Sequence, residues 1–372
     1  MEYFKQHKIV IFSSFFILIL IGGVFMFANI GKNKKETKIP VVVNPITLVT
    51  STTTPPSVPL LNQGGEGDGN STTKIVLPSP PLPIGTDRFI VSLSDTSDAI
   101  SSNLLSGGYV TDATAFTNLI GKKIIASGAY KISKTMIPSQ LLQVLSGKPY
   151  MKWVLIPPGL RKEEIAALLA PALGWTKKQT TEFITKDTTI KPEDVEGVYA
   201  PNTYLIPVGE KPADVAIRLI DQFNENFASY LPQFTAKDIK WTSALTLASI
   251  VQREAANTTD MPLVAGILWN RLNQGMQLDV DSTLQYARGN TGSGWWAPIT
   301  VADKKIDSSY NTYIHAGLPP HPISNPSVDA IKAVLNPATT DCLYYLHDKN
   351  HVIHCAVTYA EQKANIAQYL SN

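Results

Sequence analysis

In the stretch "LTLASIVQREA" (residues 245–255), Leu247, Ile250 and Val251 follow one another at spacings of three and four, and the next position on that stripe is Glu254. Helical periodicity calls for an apolar side chain there. A carboxylate removed from water is costly when ionised, so burial raises its proton affinity toward neutrality. That is the condition for a group that first gives up a proton and later takes one back. The competing reading is a solvated glutamate at the end of its helix.

Downstream residues have types that suit carbohydrate. "GMQLDVDSTLQYARG" carries Asp279, Asp281 and Thr283, "GSGWWAP" places Trp295 and Trp296 in a Gly-flanked loop, and "SSYNTYIHAGLPPHPISNPS" supplies Tyr310, Asn311, Thr312 and Tyr313. Sugars offer C–H faces that stack on aromatic rings and hydroxyls that pair with amides, threonines and carboxylates. Asn311 is expected to contact a sugar or Glu254. The bland alternatives are that the aspartates cap loops and that the tryptophans and tyrosines pack a core.

His347, His351 and His354 lie between Cys342 and Cys355 in "CLYYLHDKNHVIHC", which reads as a β-hairpin. Strand alternation puts His347 and His354 opposite the cysteines, so four ligands do not converge, and no metal or other cofactor is expected. With Asp348 and Lys349 as the two turn residues, Cys342 faces Cys355 at a non-hydrogen-bonded pair, where Cα atoms approach to about 4.5 Å. A disulfide is the expectation for a domain outside the cytoplasm. A longer loop would shift this register, because "DK" is not a favoured two-residue turn.

These residues need elements to hold them. Residues 245–275 read as two helices, the second capped by Asp260 and closed by Gly275. "PADVAIRLIDQFNENFASYL" is an amphipathic helix with Pro212 near its start, "SVDAIKAVLN" is a helix stopped by Pro337, and "TYAEQKANIAQYL" is a helix with a capping box from Thr358 to Glu361. A polar and aromatic loop is expected over 285–326. Earlier, "RFIVSLSDTSDAISSNLL" and "KWVLIPPGLRKEEIAALLA" share a strand–turn–helix plan, the first helix started by Ser or Asp. They read as a small internal repeat or as two unrelated strand–helix pairs.

The chain of 372 residues is 44% hydrophobic and 17% charged, with a net charge of +2. It can bury a sizeable core, and it has neither the basic surplus nor the zinc-finger, RNA-binding or P-loop spacing of a nucleic-acid or nucleotide binder. Residues 9–30 contain no charged residue and are long enough to cross a bilayer. The alternative, a cleaved signal peptide, normally has a shorter apolar run ending in small residues. Lys5 and Lys8 precede the span and Lys32, Lys34, Lys35 and Lys38 follow it, so charge counting leaves its orientation open. The expected organisation is a cytoplasmic tip and transmembrane anchor (1–32), a Pro/Ser/Thr/Gly-rich disordered linker (33–85), a strand–helix region (86–192) and a mixed α+β catalytic domain (193–372).

"LTLASIVQREA", "LWNRLNQGMQLDVDSTLQYA", "YNTYIHAGLPPHPISNP" and "EGVYAPNTY" together resemble the ordered signature blocks of the MltG/YceG-like endolytic murein transglycosylases, over roughly residues 86–372. The resemblance implies a lyase that cuts peptidoglycan glycan strands internally between MurNAc and GlcNAc. It implies a single pass of the inner (cytoplasmic) membrane with the catalytic domain facing the wall, and a LysM-like subdomain in the strand–helix region. It also implies that Glu254 is the catalytic acid, since Gln252 stands where the block's earlier acid would be. Departures are Asp279 in place of Gln, Ser282 in place of Pro or Ala, His321 in place of Gly and Asn202 in place of Asp. Two rivals remain: a catalytically silent wall-binding scaffold that recruits cell-wall synthesis machinery, and a hydrolase that uses Asp279 or Asp281 with water.

Overall fold

The computed structural model describes residues 82–187, 189–190, 193–194 and 196–370. The apolar span 9–30 and nearly all of the linker lie outside the described residues. Among the described residues no helix is long and apolar enough to cross a membrane.

The fold is α+β. Its first part runs β1 (Asp87–Val91), α1 (Ser97–Ser106), α2 (Ala113–Ile120), β2 (Gly128–Ile132) and α3 (Pro138–Leu145). Then come β3 (Met151–Ile156), α4 (Lys162–Leu173), α5 (Lys177–Glu182), the two-residue strands β4 (Thr189–Ile190) and β5 (Glu193–Asp194), and β6 (Asn202–Pro207). The second part is mostly helical: α6 (Pro212–Ala228), α7 (Leu231–Ala236), α8 (Trp241–Glu254), α9 (Met261–Asn273), α10 (Asp281–Arg288) and α11 (Val328–Leu335). The hairpin β7 (Tyr344–His347) and β8 (Ile353–Ala356) and helix α12 (Tyr359–Tyr369) complete it.

Four antiparallel strands form one sheet in the order β1-β2-β3-β6. The inner joint is narrow, with β2 meeting β3 at the single pair Ala129 and Met151. Gly128 makes this approach possible, because a Cβ there would lie 2.4 Å from the Met151 carbonyl oxygen. On one side of the joint a core gathers around Val91, Leu104, Phe116, Ile132 and Leu145. On the other a larger core spans Ile156, Leu169, Phe223, Leu247, Ile250, Leu268 and Val334.

Both strand–helix units are present, as β1–α1 and β3–α4, with α2, β2 and α3 between them. α1 is started by Thr96, which accepts from the Ala99 amide, and not by the expected Ser or Asp. The helix beginning at Pro212 and the capping box of Thr358 and Glu361 form as the sequence predicts.

Three expectations are corrected. The loop expected from 285 begins later, since α10 runs to Arg288. Asp260 is the residue before α9, but its carboxylate turns back to accept from the Ala256 and Asn257 amides at 3.0 and 3.2 Å instead of capping the helix. The hairpin register also differs. Asp348 N donates to Val352 O at 3.0 Å, His351 sits at φ +61°, and Tyr345 faces Cys355. A three-residue loop with a left-handed third position replaces the expected two-residue turn. Cys342 therefore lies before the ladder and not opposite Cys355, yet the two sulfurs are bonded, with Cα atoms 5.9 Å apart.

Candidate active site

Every residue of α8 from 244 to 251 is buried, and Glu254 is the last residue of that helix. The segment 321–327 clamps α8 along its length. Ile323 N donates to Ser249 Oγ at 3.0 Å, Ser324 Oγ donates to Ser249 O at 3.1 Å, and Ser327 N donates to Gln252 Oε1 at 2.9 Å. Asn325, wholly buried, accepts from Leu160 N at 2.6 Å and donates to Pro157 O and Tyr199 O at 3.3 and 3.1 Å. The proline-stiffened turn of the sequence is thus the strap that fixes the helix under the site. After Glu254 the chain is pinned by Asp260, which also pairs with His347 Nε2 at 2.7 Å and so ties this corner to β7.

Two hydroxyls grip the Glu254 carboxylate from different elements. Ser282 Oγ on α10 donates to Oε1 at 2.6 Å, with the Ser282 amide also directed at it from 3.4 Å. Tyr345 OH on β7 donates to Oε2 at 2.9 Å. Burial pushes the Glu254 pKa up, the donations from Ser282 and Tyr345 oppose that, and the negative charge of Asp281 adds to it. The outcome is a carboxyl with raised proton affinity, as the apolar stripe requires. Burial together with the Glu254 charge holds the Tyr345 hydroxyl protonated, so it remains a donor.

The predicted site residues divide into three groups. Asp281 lies beside Glu254 and accepts from Tyr313 OH. Burial and this aspartate keep the Tyr313 phenol well above its ordinary range. Asp279, at φ +52°, is held in its left-handed conformation by Arg271 and by its own amide donating to Thr312 O at 3.2 Å. Burial raises the Asp279 pKa, with Arg271 opposing.

Thr283 and Thr312 form the floor. Thr283 Oγ1 donates to Val280 O at 2.9 Å, which leaves Thr312 Oγ1 to donate to Thr283 at 2.9 Å while it accepts from Val280 N at 3.2 Å. Asn311 is buried and shapes the loop. Its amide donates to Lys304 O and Ile306 O at 3.2 and 2.9 Å and accepts from Tyr313 N at 3.0 Å, and it has no bond to Glu254.

The aromatic residues are engaged on at least one face. Trp296 carries the Arg253 guanidinium 3.9 Å above its ring and donates from Nε1 to Glu164 Oε2 at 2.8 Å. Trp295 and Tyr286 both contact Arg161, at 4.2 and 4.3 Å from their ring centres, and Tyr310 packs on Tyr286 with centroids 4.8 Å apart. Trp295, Trp296 and Tyr286 are thus held by arginines contributed by distant segments. Sequence reasoning missed Ser282 and Tyr345 as partners of Glu254; the only advance signal was Ser282's departure from the family block. His354 stacks on Tyr369 at 3.6 Å and pairs with Asp348 at 3.1 Å.

Residues 89–368 match the profile described as the YceG-like family. The chain is 28% identical over 282 residues to a protein named endolytic murein transglycosylase from Streptococcus pneumoniae, an alignment that covers 67% of this chain and 51% of that protein. It is 26% identical over 334 residues to one of the same name from Bacillus subtilis, covering 82% and 87%. The chain thus spans about half the length of the pneumococcal relatives it matches. A crystal structure of a yceG-like protein from Listeria monocytogenes has the same fold, with a TM-score of 0.52 at 24% identity over 75% of this chain and 98% of that one.

Proposed function

The chain belongs to the YceG-like family, and from that premise we propose that it is an endolytic murein transglycosylase acting on peptidoglycan glycan strands. Glu254 protonates the oxygen of the MurNAc–β-1,4–GlcNAc bond as that bond breaks. The C6 hydroxyl of the same MurNAc then attacks C1, and Glu254 takes back the C6 proton. The products are a 1,6-anhydro-MurNAc end and a free GlcNAc hydroxyl, so no water is consumed and the enzyme is regenerated.

The observation that carries this reading is the Glu254 carboxylate, half-buried at the end of α8, with raised proton affinity and gripped by Ser282 and Tyr345. A two-carboxylate hydrolase would need a free second acid. Asp279 is committed to Arg271 and Asp281 accepts from Tyr313, which weighs against that rival. The names of the pneumococcal and Bacillus relatives support the same reaction. A silent scaffold has no use for a carboxyl poised in this way.

On this reading residues 9–30 anchor the chain in the cytoplasmic membrane and the linker holds residues 86–372 at the wall. The LysM-like role falls to the strand–helix region 86–192, whose part from β1 to α3 has a core of its own, which supports this reading. Cell-wall synthesis machinery is the proposed protein partner. Purified glycan strands digested with the protein and analysed by mass spectrometry test the chemistry. Internal cuts that leave anhydro ends are expected; reducing ends would establish a hydrolase, and uncut strands a scaffold. Fractionation with external protease tests the placement, with membrane association and digestion from outside expected.

A further inference from the structure

The two donors to Glu254 are fixed by unlike means. Ser282 is rigid by position, one residue into α10, beneath the Val280, Thr283 and Thr312 network. Tyr345 sits on a short two-stranded hairpin and must be aimed from outside. On its near side Asn270 Nδ2 donates to Thr340 O and Cys342 O at 2.7 and 3.1 Å, and Arg271 Nη1 donates to Leu343 O at 3.0 Å. From α12, Gln362 Nε2 donates to Tyr345 O at 3.0 Å. Across the ladder the residue facing Tyr345 is Cys355, and its sulfur is bonded to Cys342. The cross-link therefore joins the anchored near strand to the residue directly opposite the tyrosine.

We propose that Tyr345 is a positioning residue for Glu254 and that the Cys342–Cys355 cross-link, by closing the hairpin across from it, keeps its hydroxyl on the carboxylate. The proposal rests on Glu254 being the acid of the reaction. A group that gives a proton and then recovers it must not favour either state too strongly. Burial and Asp281 from α10 favour the neutral carboxyl, while Tyr345 and Ser282 favour the charged one. The other ionisable groups around the pair are Arg253 on α8, Arg271 on α9, Tyr313 on the loop after α10 and His347 on β7, whose ring meets Tyr345 edge-on at 6.0 Å and pairs with Asp260. None of them replaces a hydroxyl directed at Oε2. Tyr345 is thus the counterweight that makes the Glu254 proton transferable, and opening the hairpin weakens it.

The full-length protein labelled with 13C at glutamate carboxyls allows Glu254 to be titrated by NMR without turnover, its signal identified by its loss in Glu254→Gln. Tyr345→Phe is expected to raise the Glu254 midpoint by about one pH unit, the order for losing one charge-assisted donor. Reducing the disulfide in the wild-type chain should raise it in the same direction, and reducing Tyr345→Phe should add nothing. An unmoved or lowered midpoint in Tyr345→Phe overturns the proposal. So does a reduction that moves wild type and variant equally, or that leaves wild type unmoved. The reduced wild-type arm decides the matter even where Tyr345→Phe folds poorly, and Cys342→Ser with Cys355→Ser repeats it without reductant. If the titrations behave as expected while wild type yields no anhydro ends, the functional reading falls and the positioning of Glu254 stands.

Discussion

Replacing Glu254 with Gln separates what this carboxyl does for the reaction from what it costs the fold. The amide keeps the shape of the site. Its oxygen can accept from Ser282 Oγ and its NH2 can donate to the Tyr345 oxygen, so neither hydroxyl is stranded. The transferable proton is lost, and removing a general acid–base typically slows a reaction about 10²- to 10⁴-fold, or about 3 to 5 kcal/mol in the barrier. Stability should move the other way. The folded-state pKa of Glu254 is raised by burial, so its favourable contribution is present below the unfolded-state pKa and is lost as pH rises through the folded one. Above its folded-state pKa the wild type bears the cost of a desolvated charge that Gln does not. The variant is therefore more stable there by about 1.4 kcal/mol for each pH unit separating the two titrations. That corresponds to a Tm increase of about 2 to 4 °C per kcal/mol. The gain should shrink to nothing near pH 4. Mass spectrometry of digested strands and thermal scans at pH 7.5 and pH 4 measure both effects. Near-wild-type formation of anhydro ends would refute the catalytic assignment, and a stability gain of equal size at both pH values would refute the buried-charge argument.

Asp281→Asn removes a like charge facing Glu254, so the alkaline edge of activity should move to lower pH, while turnover falls by less than about tenfold and the anhydro product persists. A covalent glycosyl adduct trapped on Asp281 would instead favour the hydrolase. Asn325→Ala strips an acceptor from Leu160 N and donors from Pro157 O and Tyr199 O, the bonds that tie the strap to its neighbouring segments. A loss of about 2 to 4 kcal/mol by chemical denaturation is expected, and a loss below about 1 kcal/mol would show that the strap does not depend on this side chain.

What the sequence disclosed is what local periodicity and capping encode. The two helices that bracket Glu254, the helix beginning at Pro212 and the box of Thr358 and Glu361 all rest on contacts within a few residues. The carboxylate on an apolar stripe marked Glu254 as a candidate, and the resemblance to a family supplied the reaction. The hairpin register did not follow, because His351, a non-glycine residue, adopts a left-handed φ that no turn motif announced. Ser282 and Tyr345 stayed hidden for another reason. They meet Glu254 from 28 and 91 residues away, and a serine in "DST" or a tyrosine in "LYYLH" looks ordinary until the fold joins them. The sequence left the tryptophans between sugar stacking and core packing, and spacing carries no trace of Arg253 and Arg161, which cover one face of Trp296 and Trp295.

The distance along the chain between Glu254 and Tyr345 also bears on how the protein comes into being. Contacts so far apart in sequence form late, since a long loop must close before they can reward it. A chain emerging from its N-terminal end exposes Glu254 well before the hairpin exists. In that interval Oε2 of Glu254 lacks its Tyr345 donor. On the proposed reading, the balance between the two protonation states of Glu254 is therefore complete only when the hairpin has docked.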